Sequence, residues 1–224
     1  MKTPLAEVGQ YFDVRETVEI PARFNIAPTQ NVPVVRLGQN SGGDRELAPL
    51  RWGLIPSWAS DPAVGSRNIN ARAETVTERP TFRSAFQRRR CLIPADGFIE
   101  WTVDGRVKQP HYIKLRSGEP FAFAGLWETW GQGEDLAQSF AIITTDANDV
   151  LRPLHERMPV ILPPPAYGKW LDRDEHNTDE LLELLRPYPS REMQYFAIST
   201  RVNSPRHDDP ECLEPVATQK GLFD

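Results

Sequence analysis

Residues 91–101 read CLIPADGFIEW, from Cys91 to Trp101. An apolar run, Cys91 to Ile93, predicts a strand. The Pro-Ala-Asp-Gly stretch predicts a loop, and a second apolar run ends in Glu100 on another strand. Outward from this stretch the same pattern recurs. Val32 to Leu37, Tyr112 to Leu115, Pro120 to Leu126, Phe140 to Thr144 and Gln194 to Ser199 read as strands. Arg23 to Gln30 (RFNIAPTQ) reads as a loop ended by the Pro28 turn, and Gln39 to Asp44 as a turn. Helical spacing is sparser. Pro4 to Phe12 predicts a helix capped by Thr3, with Leu5, Val8 and Phe12 on one face. Others are expected near Asn148 to Leu154, near Pro165 to Leu171 and over Thr178 to Leu185, where leucines alternate with acids. Many short strands with scattered short helices predict a mixed α+β domain. No internal repeat, no βαβ alternation and no glycine-rich phosphate loop is visible.

Composition bounds the rest. The chain has 224 residues, enough for one sizeable core without a disulfide or metal scaffold. No apolar run approaches the roughly 20 residues of a membrane span, and the first residues have no signal-peptide segment. A cytoplasmic protein with two free thiols is expected. Twenty-one prolines predict many loops and edge strands. The net charge of −5 argues only weakly against a nucleic-acid partner, because charge is segregated. Arg67 to Arg90 holds seven arginines and two glutamates, whereas Asp172 to Glu183 holds six acids and one arginine. The first segment is a candidate phosphate surface, arginine being a planar bidentate donor. Equally, it reads as a solvated loop balancing the acidic helix. The four histidines are dispersed and no CxxC occurs, so no metal or cofactor is expected.

Four stretches combine residues that loops rarely need: RWGLIPSW (Arg51 to Trp58), NINARAET (Asn68 to Thr75), CLIPADGFIEW and LHERMPVIL (Leu154 to Leu162). Glu100 lies among Phe98, Ile99 and Trp101. Facing inward, it would be desolvated into a usable general acid or base; taken alone, it reads more simply as an outward strand residue. A lone histidine such as His155 is more often packed or exposed than catalytic. Asn70 could merely fix a turn. Trp52 and Trp58 could be core, or could stack on unpaired bases at roughly 1–3 kcal/mol each.

Together with FNIAPTQ (Phe24 to Gln30), FAFAGLWETW (Phe121 to Trp130) and SFAIITTDAN ahead of LHERMP, these motifs resemble the SRAP family, the SOS response-associated peptidase or abasic-site processing proteins. The resemblance runs in order from about Thr3 to about Val202. It implies a single domain over 1–224, a pseudo-barrel of mainly antiparallel strands with short peripheral helices, and a polar tail from about 203. It implies a monomer that binds single-stranded DNA containing abasic sites in the cytoplasm, on the nucleoid of a bacterium. In the family an initiator methionine is removed. The exposed N-terminal cysteine then captures the open-chain aldehyde as a Schiff base, and its thiol closes a thiazolidine. Carried over by motif, Asn70 would orient the terminal residue, Glu100 would handle protons, and His155 would act as general acid/base. Arg72 and Arg79 would hold phosphates. Asn25, Pro28, Trp52 and Trp58 would shape the DNA cleft.

The sequence departs from the family at its start. Met-Lys-Thr-Pro-Leu resembles the segment that follows the family's Met-Cys-Gly-Arg, so the nucleophilic cysteine is absent from the chain as written. Six extended residues span roughly 20 Å, so Met1 is not expected at the catalytic position. The expectations are a chain that retains DNA binding but not covalent capture, or else a non-covalent single-stranded DNA-binding paralogue. A reversible Schiff base on Lys2 or the α-amine is a third route, and a broad peptidase has no serine, histidine and aspartate arrangement behind it.

Overall fold

The computed structural model describes residues 1–15, 21–38, 43–105 and 107–216. In chain order the elements are α1 (Leu5–Tyr11), β1 (Asn31–Leu37), β2 (Arg45–Trp52), β3 (Asn70–Arg72), α2 (Arg83–Arg88), β4 (Arg90–Ala95), β5 (Phe98–Asp104), β6 (Val107–Leu115), β7 (Phe121–Trp130), β8 (Ala137–Asp146), β9 (Arg157–Pro159), β10 (Ile161–Leu162), α3 (Tyr167–Leu171), α4 (Thr178–Glu183) and β11 (Met193–Ala197). The larger sheet runs β7-β4-β1-β2-β8, and β8 pairs back onto β7, closing a ring of five strands. Strands β10, β9 and β3 fringe this ring. The pairings are antiparallel except β2–β8 and β3–β8, which are parallel. The α+β pseudo-barrel is thus the observed fold.

Alternation along the strands explains the two cores. Val34, Leu50, Cys91, Ile93, Phe123 and Phe140 share one cluster, which fills the barrel. The intervening Val35, Leu47, Leu92, Ala124 and Ile143 meet Val8, Phe12, Phe86 and Trp170 of the surrounding helices. With both faces covered, β4 is buried throughout, and its sequence reads as an unbroken apolar run.

A second sheet, β11-β6-β5, lies beside the barrel. One face packs Ile99, Tyr112 and Phe196 against Ile198, Val202 and Cys212 of the returning C-terminal segment. On the other, Phe98 and Ile113 join the barrel cluster, and the Phe98 ring stands edge-on to Phe123 at 5.7 Å. Gly97 permits the approach, since a Cβ there would lie 2.4 Å from the Ile113 carbonyl and the Tyr112 ring. Asp208 clasps the C-terminal segment to the RFNIAPTQ loop. Its carboxylate accepts the N–H groups of Phe24 (2.5 Å) and Asn25 (2.8 Å) and pairs with Arg23.

Some sequence expectations need correcting. The segment near Asn148 to Leu154 is a series of turns, not a helix. Asn148 Oδ1 accepts the Leu151 N–H at 3.1 Å, the bond of a helix N-cap, but Pro153 follows within a turn and has no N–H to continue the ladder. Thr3 does not cap α1, because its hydroxyl donates to Asp96 instead, and Pro4 takes the N-cap position. Strand β2 was not expected, because charged Arg45 and Glu46 and central Pro49 mask it. Helix α2 was not expected inside the arginine run. In the segment after residue 203, Cys212 is fully buried, and the Val216 N–H donates to the Ala197 carbonyl at 3.0 Å. Most of the turn expected over Gln39 to Asp44 lies outside the described residues. No helix among the described residues is long and apolar enough to cross a membrane.

Candidate functional site

Strand β8 gathers the site. Its later residues leave the barrel and pair with β3 (Asn70↔Ile142, Arg72↔Thr144) and with β9 (Thr144↔Pro159, Asp146↔Arg157). Two motifs distant in sequence, NARAET and LHERMP, therefore flank one strand. A side-chain link joins them. Arg157 Nη1 and Nη2 donate to the two Glu74 oxygens at 2.7 and 2.9 Å, and also reach Asp146 (2.7 Å) and the Thr144 carbonyl (2.8 Å). The Arg157 hydrogen bond holds the Glu74 carboxyl below its usual range.

Arg157 also orients His155. Its backbone N–H donates to His155 Nδ1 at 2.9 Å, so the neutral ring carries its proton on Nε2. The Arg157 carbonyl lies 3.0 Å from the same Nδ1. A protonated ring can therefore donate there without moving. One residue thus offers a partner to the ring nitrogen in either charge state.

Glu100 comes from β5, on the face of the small sheet that carries Phe98 into the barrel. Burial pushes its carboxyl pKa up, and the nearby His155 imidazolium opposes the shift. The carboxyl is therefore within electrostatic reach of His155, although no direct hydrogen bond joins them. Asn70 is exposed on β3 at the barrel fringe, its side chain making no hydrogen bond among the described residues. Glu100 and His155 thus lie within electrostatic reach of each other, while Asn70 sits on β3 opposite Ile142 of β8.

The residues expected to shape a cleft divide. Trp52 is half-buried: its Nε1 donates to the Ile69 carbonyl at 3.0 Å and its ring stacks on Phe140. Trp58 is 67% exposed. The loop that bears it is pinned by Ile55 N–H on Ser139 Oγ (2.8 Å) and by Trp130 Nε1 on the Ala59 carbonyl (2.7 Å). Gly53 and Gly65 close its neck, since a Cβ on either would lie within 2.7 Å of the other's carbonyl oxygen. Asn25 is buried, with its amide donating to the carbonyls of Val202, Ser204 and His207. It shapes the site only by holding its loop. Pro28 is exposed in the turn, next to Thr29 at φ 74°, a strained conformation for a β-branched residue.

Arg72 and Arg79 are exposed, and their side chains make no hydrogen bond or ion pair among the described residues. Arg89 and Arg90 are committed internally, to Glu128 and to backbone carbonyls. Sequence reasoning missed Glu74 and Arg157, which look like ordinary surface charges until β8 brings their strands together. It also missed His111, which stands opposite Glu100 across the β5–β6 pair. The described residues contain no group of histidines, cysteines and acids able to hold a metal.

Comparison with known proteins identifies the family. The family model for SOS response associated peptidase (SRAP) matches residues 1–205. The abasic site processing protein YoqW of Bacillus subtilis is 44% identical over 193 residues, covering 85% of each chain. The abasic site processing protein HMCES of Xenopus tropicalis is 33% identical over 227 residues, 88% of this chain and 67% of that one. A crystal structure of a Bacteroides thetaiotaomicron protein superposes with a TM-score of 0.87 at 25% identity, over 97% of this chain and 98% of that one. A family match over nearly the whole chain, close relatives and a shared fold carry one conclusion: this chain belongs to the SRAP family.

Proposed function

We propose that the protein recognises abasic sites in single-stranded DNA, with Asn70, Glu100 and His155 forming the pocket that receives the open-chain sugar. The observation that carries this reading is the placement of a partly buried carboxyl, its pKa raised, beside an imidazole whose two protonation states are both supported by Arg157. Forming a Schiff base on an aldehyde requires a proton at the departing hydroxyl and a base for the amine. Glu100 serves the first need and His155 the second, while the free amide of Asn70 orients the amine. Arg72 and Arg79 hold flanking phosphates, and exposed Trp58 stacks on a base beside the lesion.

The thiazolidine route needs an N-terminal cysteine. The two cysteines of this sequence are both buried, and burial pushes the Cys91 thiol pKa far up, which suppresses the thiolate. The Met1 ammonium donates to the Arg23 carbonyl and lies near Asp96 and Asp208. The 224-residue chain is therefore expected to bind without crosslinking, and a chain with Met-Cys-Gly-Arg placed ahead of it to crosslink. The test is incubation of both with a uracil-containing oligonucleotide treated with uracil glycosylase, followed by a denaturing gel. Equal crosslinking by both forms overturns the assignment of the nucleophile.

A second reading is a plain single-stranded DNA-binding module. Exposed Trp58 and the uncommitted arginines favour it, and it predicts salt-dependent binding with no preference for the lesion.

A further inference from the structure

The small sheet brings a third titratable group to this pocket. Glu100 and His111 are directly opposed on antiparallel β5 and β6. Opposed residues project to the same face, with Cβ atoms about 4.5–5.5 Å apart. That face sends Phe98 and Ile113 into the barrel core and turns Glu100 toward His155. The His111 ring is half-buried and stands at 82° to Tyr195 of β11, centroids 5.5 Å apart, which fixes its plane. Among the described side chains, the titratable groups on this face are Glu100, His111 and Tyr195, joined by His155 from the loop ahead of β9. Asp149 and Arg152, in the turn before His155, are exposed and pair with each other at 3.8 Å.

We propose that His111 is a positioning residue for Glu100, accepting the carboxyl's proton and returning it. The exchange balances: carboxylic acid and neutral imidazole become carboxylate and imidazolium, and the proton returns by the same path. Burial supplies the match, raising the Glu100 pKa and lowering that of His111, so the two approach each other. Both residues are half-buried, and the His111 Nδ1 is enclosed without a hydrogen-bond partner among the described residues. This role rests on the reading of the pocket given above.

The test separates the two claims. Imidazole resonances of the 224-residue chain are titrated by two-dimensional NMR in wild type and in Glu100→Gln, without DNA. Removing the carboxylate should lower the His111 midpoint by about half a pH unit or more, the scale of one nearby charge at a half-exposed site. An unmoved His111 midpoint overturns the pairing, whether or not the protein acts on DNA. His111→Phe, which keeps an edge-on ring against Tyr195, is then compared with wild type for crosslinking rate against pH in the Met-Cys-Gly-Arg form. A profile displaced by half a unit, with His111→Gln failing to restore it, supports the relay, and superimposable profiles overturn it. If the wild type does not react at all, the functional reading fails while the NMR shift still decides the pair.

Discussion

Two arginines from one charged run have opposite fates. Arg90 is buried, its Nε donating to the Trp170 carbonyl (2.7 Å), Nη1 to Phe86 (2.7 Å) and Gln87 (2.9 Å), and Nη2 to Asp172. It ties the end of α2 to the end of α3. Arg72 stands on β3, and its side chain makes no hydrogen bond among the described residues. The same contrast separates two asparagines: Asn25 spends its amide on three carbonyls, and Asn70 spends none. Arg90 and Asn25 are satisfied within the fold, whereas the side chains of Arg72 and Asn70 keep their hydrogen-bonding capacity. Partner count, not residue type or charge density, sorts the run into scaffold and surface.

Substitutions can break this contrast. Arg90→Ala should cost about 3 kcal/mol or more, because it strands several buried carbonyls, and urea unfolding measures it. Asp208→Asn should cost about 2 kcal/mol through the Arg23–Asn25 clasp. Burial alone would raise the Asp208 pKa, but the N–H groups of Phe24 and Asn25 and the Arg23 guanidinium outweigh it and hold it low. A depressed folded-state pKa contributes stability above the unfolded value near 4, and that stability is lost as pH falls through the folded value. The wild type should therefore lose stability in acid more steeply than Asp208→Asn. Glu74→Gln should cost about 1 kcal/mol or less, since that pair is half-exposed. It should nonetheless slow the crosslinking of the cysteine-bearing form, because Arg157 and hence His155 lose their anchor. Arg72→Ala should shift stability by no more than about 0.5 kcal/mol. It should weaken DNA binding at every sequence and reduce the salt slope by about one. If Arg72→Ala unfolds the protein or Arg90→Ala is silent, the division is wrong.

The sequence carried unequal signals. Strands β4, β7 and β8 were legible because burial on both faces leaves continuous apolar runs. Strand β2 was not, since its charged start and its proline look like loop. The parallel β2–β8 pair, which completes the ring, joins Arg51 to Ser139 across a long stretch of sequence, and no local pattern reports it. At the site, Asn70, Glu100 and His155 stood out only as members of motifs. Arg157 and Glu74 lie in those motifs too, but a guanidinium and a carboxylate on separate segments show no pairing until the sheet forms. His111 was silent, because its meaning comes from the residue opposite it on β5.

The central claim is that the Asn70, Glu100 and His155 pocket reads the lesion. It is tested most directly by fluorescence anisotropy of the 224-residue chain with a single-stranded oligonucleotide, abasic or intact at one position, at fixed salt. The account predicts affinity for the abasic strand higher by about tenfold, the worth of one additional charge-assisted hydrogen bond, and loss of that preference in Asn70→Ala. Equal affinity for the two strands in the wild type would contradict it.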